Sequence, residues 1–97
     1  MSNQAEPQPG LAEAIRRFRM QRQMSQEQLG LDAGLHPTWI SRIESGQINP
    51  KWGNVKAIAR VLGVRLSDLA ALAEDLDLHL DLEARTAPRP GQNAGGQ

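Results

Sequence analysis

The groups in this chain that could do covalent chemistry are few and scattered. There are two histidines, His36 and His79, and no cysteine. The histidines are far apart and carry no metal-ligand spacing, and without thiols there is no thiolate site, disulfide or cysteine nucleophile. No glycine-rich phosphate loop or nucleophile motif is present. The carboxylates near the C-terminus alternate with leucine and read as a solvated face. Catalysis, a metal and a cofactor are therefore not expected. What remains is hydrogen-bonding and ionic chemistry, concentrated between Gln26 and Lys51.

The elements that must position those groups are helical. The chain has 97 residues, 39% of them hydrophobic, which suits one folded domain with a modest core. Ser2–Pro9 is polar and reads as a loose arm over 1–9. Leu11, Ala14, Ile15 and Phe18 recur at helical spacing and predict a helix over Leu11–Gln23. Ser25 followed three residues later by Gln28 is a capping-box pattern, so a second helix starts at Gln26. It ends near Ala33, because Gly34 suits the left-handed conformation of a helix terminus. Pro37 suits the first turn of a third helix, which runs to Glu44 or Ser45. Trp52–Leu62 forms a fourth, stopped by Gly63. Ser67 caps a fifth, with Leu69, Leu72, Ala73 and Leu76 on its apolar side.

Beyond that point the period changes. Leu76, Leu78, Leu80 and Leu82 alternate with Asp77, His79 and Asp81, as in a half-buried strand. Either a strand pairs with a copy of itself from another subunit, or the helix continues; both remain open. The segment 76–85 is in either case a candidate for dimerisation. The tail 86–97 is rich in Pro, Gly, Gln and Asn and is expected to be disordered.

No apolar run approaches the roughly 20 residues a membrane helix needs. Met1–Gly10 shows no secretion pattern, so a cytoplasmic protein is expected. The net charge is zero but unevenly placed. Residues 1–65 carry nine Lys/Arg and five Asp/Glu; residues 66–97 carry two Arg and six acids. A basic functional end and an acidic end facing another partner are implied.

Residues 26–45 satisfy the demands of two short helices crossing at a tight turn. Gly34 supplies the turn, Gly30 the small residue four positions earlier, and Leu29, Ala33, Leu35, Ile40 and Ile43 the apolar inner faces. Ser25-Gln26-Glu27-Gln28-Leu29, Ala33-Gly34-Leu35, Ile40–Gly46, Asn49-Pro50 and Ile58–Val64 together resemble the lambda-repressor/Cro-like, or XRE, family over about residues 10–75. The resemblance implies an all-α, five-helix domain whose third helix enters the major groove of double-stranded DNA. It also implies a homodimer on a palindromic operator, acting mostly as a repressor of transcription.

Within that frame His36, Pro37, Thr38, Trp39, Ser41 and Arg42 are the candidates for contact with DNA. An arginine fork at Arg42 matches guanine O6 and N7. Thr38 suits a thymine methyl or a phosphate, Pro37 only apolar contact. Trp39 is either a flat contact with DNA or a residue packed on the domain edge. Gln26 is placed to grip a phosphate at a helix N-terminus, with Asn49 and Lys51 on the other flank. Arg16, Arg17 and Lys56 add positive charge. The resemblance further implies that Arg19 and Glu44 form a structural pair. Gly30 stands where relatives usually carry alanine. The competing function is an antitoxin, which binds a toxin as well as its operator; the acidic C-terminal region would serve such a protein partner.

Overall fold

The computed structural model describes residues 8–86. They form five helices: α1 (Pro9–Gln21), α2 (Gln26–Ala33), α3 (Pro37–Glu44), α4 (Trp52–Leu62) and α5 (Leu66–Thr86). The arm expected over 1–9, apart from Gln8 and Pro9, lies outside the described residues, as does the tail expected over 86–97 beyond Thr86.

Helix α1 begins two residues before the expected Leu11. Pro9 occupies its first turn, where a missing N–H costs nothing and the fixed φ suits the helix. It stops at Gln21 because Gln23 turns left-handed, at φ 59°. The N–H groups of Gln23 and Met24 then close on the carbonyls of Met20 and Arg19 at 2.9 and 3.1 Å. Ser25 caps α2 as expected, its hydroxyl accepting from the Gln28 N–H at 2.9 Å. Only half of the capping box forms, since the Gln28 side chain donates to Asp32 at 2.7 Å instead.

The fifth helix departs most from the sequence expectation. It starts at Leu66, before Ser67, and the Asp68 carboxylate accepts from the Arg65 N–H at 3.3 Å. It then runs unbroken through Leu76–Leu82, so that segment is not a strand. A leucine at every second position of a helix splits into two i,i+4 pairs on opposite sides, Leu76 with Leu80 and Leu78 with Leu82. Side-chain contacts of the same spacing support the extension, His79 Nε2 with Glu83 at 3.1 Å and the Asp81–Arg85 ion pair at 3.2 Å. The Asp77 carboxylate accepts from the Gly10 N–H at 2.7 Å. It thereby satisfies one of the first-turn donors of α1 that have no partner within the helix.

The core is a single cluster. Ile15, Leu29, Ile40, Ile43, Ile58, Leu62 and Leu69 are fully buried within it. Burying each such side chain contributes about 1.5–3 kcal/mol. Helix α1 packs along α5, α2 packs on both α3 and α4, and α1 also touches α3 and α4. The result holds α3 by one side only, against α2 and α1. Among the described residues, no helix is long and apolar enough to cross a membrane.

Candidate nucleic-acid interface

The turn between α2 and α3 fixes how α3 is presented. Gly34 ends α2 at φ 76°, a conformation that side chains with a Cβ rarely adopt. The Leu35 N–H then returns to the Gly30 carbonyl at 2.7 Å. Gly30 is small for a separate reason. A Cβ there would stand 3.0 Å from both the Leu35 carbonyl oxygen and the Pro37 Cα. The backbone of the turn occupies the space an alanine would need, so the expected penalty of glycine in a helix is offset by the close approach it permits.

His36 is the N-cap of α3. Its Nδ1 accepts from the Thr38 N–H at 3.1 Å. That bond needs an unprotonated Nδ1, so in the neutral ring the proton sits on Nε2 of an exposed side chain. Pro37 follows, half-buried in the first turn. Ile40 and Ile43 face the core. Thr38, Ser41 and Arg42 lie on the opposite side and are exposed, spaced three and four residues apart so that they share one face. Among the described residues, Arg42 is in no ion pair. Trp39 sits at the margin of this face, 47% exposed. That exposure is compatible with both expected readings, contact with DNA and partial packing on the domain edge.

The C-terminal end of α3 is tied down. The Arg42 carbonyl accepts from the Ser45 hydroxyl at 3.1 Å and from the Gln47 N–H at 2.9 Å. Glu44 is nearly buried and accepts from Arg19 Nε at 2.7 Å and Nη2 at 3.0 Å. Arg19 Nη1 also donates to the Met24 carbonyl at 2.7 Å. Its guanidinium is held above the usual arginine pKa by the hydrogen bonds it donates to Glu44, with burial working against this and the Glu44 charge adding to it.

Gln26 belongs to the same network. Its amide donates to Glu44 at 2.9 Å, so the N-terminus of α2 is anchored to the C-terminus of α3. The residue assigned to phosphate from sequence has thus a structural partner as well. One amide proton and the unsatisfied backbone N–H groups of the first turn remain for an anion. The resemblance found the Arg19–Glu44 pair; it did not find the third member.

Asn49 is half-buried in the segment after α3, and Lys51 is exposed at the N-cap of α4. Arg16 and Arg17 both bond to Glu13, at 3.4 and 3.0 Å, in exposed pairs worth little to stability. Arg22 is structural. Its Nε donates to the Leu62 carbonyl at 2.8 Å, placing positive charge at the C-terminus of α4. No local signal marks a contact between residues so far apart in sequence. Among the described residues no group of three or more His, Asp or Glu is placed to hold a metal ion.

A domain of this shape, with one polar helix face presented to solvent, is shared by known proteins. The family model described as "Helix-turn-helix domain" matches residues 11–72. Control protein C.BamHI of Bacillus amyloliquefaciens is 41% identical over 56 residues, covering 57% of this chain and 69% of that protein. Among solved structures, the restriction-modification controller protein C.AhdI from Aeromonas hydrophila superposes with a TM-score of 0.61 at 26% identity, covering 63% of this chain and 92% of that one. The hypothetical transcription factor NHTF from Neisseria superposes with a TM-score of 0.62 at 33% identity, covering 66% and 74%. The chain belongs to the helix-turn-helix domain family, in its Cro-like, XRE-type branch, and is a DNA-binding transcription regulator.

Proposed function

We propose that the protein binds a palindromic operator as a homodimer, with α3 of each subunit in the major groove, and that it regulates transcription chiefly as a repressor. The observation that carries this is the exposed Thr38–Ser41–Arg42 face, on a helix whose other side and both ends are held by the domain. Arg42 reads guanine through its fork, and Thr38 and Ser41 contact neighbouring bases or phosphates. Gln26, His36, Asn49 and Lys51 grip the backbone on either side and supply the sequence-independent, salt-sensitive part of the affinity. Pro37 and Trp39 offer apolar and flat contact.

The two recognition helices of the dimer would stand about 34 Å apart, in successive major grooves. The dimer contact uses residues 66–82, the acidic end, which phosphates would repel. On this reading the protein works in the cytoplasm. Control of restriction–modification genes is favoured over the antitoxin role by the likeness to control protein C.BamHI and to the restriction-modification controller protein C.AhdI.

Selection of bound duplexes from a random pool tests the proposal. Enrichment of an inverted repeat is expected. Failure to enrich any sequence, at low as well as moderate salt, would overturn it.

A further inference from the structure

Helix α5 carries two apolar stripes. At about 100° per residue, Leu69, Ala73 and Leu76 fall together, and all three are buried against the domain. Leu78 and Leu82 fall on the opposite side, 59% and 49% exposed, with Ala71 exposed two turns before Leu78. Asp75 and Asp81 border this second stripe, Asp81 in an exposed ion pair with Arg85 at its far end. The helix as a whole holds six Asp/Glu and one Arg.

A surface of opposite character lies elsewhere on the same chain. Gly53, Lys56, Ala57, Arg60, Val64 and Leu66 line an open groove of about 480 Å³. Lys56 and Arg60 stand one turn apart on α4, exposed and in no ion pair among the described residues. Ala57, Val64 and Leu66 give the groove a half-buried apolar floor. A leucine ridge edged with carboxylates thus matches an apolar groove edged with cations.

The two surfaces cannot meet within one chain. Leu66, in the groove, is the first residue of α5, and Leu78–Leu82 lie farther along the same continuous helix. At 1.5 Å per residue the separation is about 18–24 Å. Only a second copy can bring them together, and a two-fold arrangement does so twice.

We propose that the Leu78/Leu82 ridge of one subunit seats in the Lys56/Arg60 groove of a second copy, reciprocally. The proposal rests on the dimer reading above and names its contacting surfaces. It gives Lys56 a carboxylate partner rather than a phosphate. The exposed face of α3 belongs to neither surface and stays available.

Charge reversal tests it. One variant carries Lys56→Glu with Arg60→Glu, the other Asp75→Lys with Asp81→Lys. Each alone sets like charge against like in its own homodimer. Mixed, each offers the other a complementary ridge and groove. Sedimentation equilibrium should show a wild-type dimer, with each variant weakened by about tenfold or more. The equimolar mixture should recover a mixed dimer, and circular dichroism should show all chains folded, with at most a small loss of helix where Asp81→Lys breaks the Asp81–Arg85 pair. A third variant, Leu78→Ser with Leu82→Ser, removes the ridge without reversing charge and should also dissociate. Variants that dimerise like wild type, or a mixture that does not recover, would overturn the proposal while leaving a dimer through another surface. A monomeric wild type would overturn both this proposal and the dimer reading. A wild-type dimer that behaves as expected but selects no DNA would leave the contact standing and remove the operator reading alone.

Discussion

Arg19 and Glu44 join α1 to the end of α3 through two nitrogen–oxygen contacts, with side chains only 13% and 4% exposed. The pair therefore fixes the axis of α3, the helix proposed to face DNA, while lying away from its exposed face. Removing one partner strands the other in the interior. Glu44→Ala is expected to lower unfolding free energy by about 3 kcal/mol. Arg19→Ala should cost a similar amount, and the double variant less than the sum. Denaturant unfolding of the three variants measures this. Additive effects would show that the two groups act independently. Because the Arg19 pKa is raised on folding, its contribution is present below the unfolded-state value and is lost only in strong alkali.

Two helix ends that adopt the same left-handed turn should respond in opposite directions. Gln23, at φ 59°, holds a conformation that glycine adopts without cost, whereas Gly34, at φ 76°, already is glycine. Gln23→Gly should stabilise the domain by about 0.5–1 kcal/mol, and Gly34→Ala should destabilise it by about 1 kcal/mol or more. Thermal melts compare them. A stabilising Gly34→Ala would contradict the account of the turn.

Trp39 can report on DNA directly. With Trp52→Phe as background, it is the remaining tryptophan, 47% exposed at the margin of the proposed reading face. Binding to a selected operator should shift its emission and reduce quenching by iodide. An emission spectrum and quenching constant unchanged at saturating duplex would remove Trp39 from the interface.

Much of this was legible in the sequence, and the reasons differ from residue to residue. Gly34, Ser25 and Gly63 are local signals, since a cap or a left-handed turn depends on a few adjacent residues, and all three end or begin helices as read. Leu76–Leu82 was ambiguous because alternation suits a strand facing one partner and equally a helix with two apolar sides. Periodicity alone does not choose between them. The i,i+4 pairs His79–Glu83 and Asp81–Arg85 were the available signal for helix. Ser67 was read as a cap from its residue type, but the helix starts one residue earlier and Asp68 accepts from the Arg65 N–H instead. Arg22 on the Leu62 carbonyl, Asp77 on the Gly10 N–H and Gln26 on Glu44 are long-range contacts. They depend on how helices pack, which no local pattern encodes. Arg42 and Thr38 were named as candidates because the resemblance puts the third helix against base edges, and both lie on its exposed face, opposite Ile40 and Ile43.

The central claim is that Arg42 reads a base while Lys51 only holds the backbone. Selection of bound duplexes, repeated with Arg42→Ala and Lys51→Ala beside wild type, separates the two. Arg42→Ala should relax preference at one symmetric pair of guanine positions and weaken binding there by about 1–3 kcal/mol. Lys51→Ala should leave the preferred sequence unchanged, weaken binding to all sequences alike and lower the salt slope by about one. An Arg42→Ala protein that selects the wild-type sequence with undiminished preference at every position would contradict the claim.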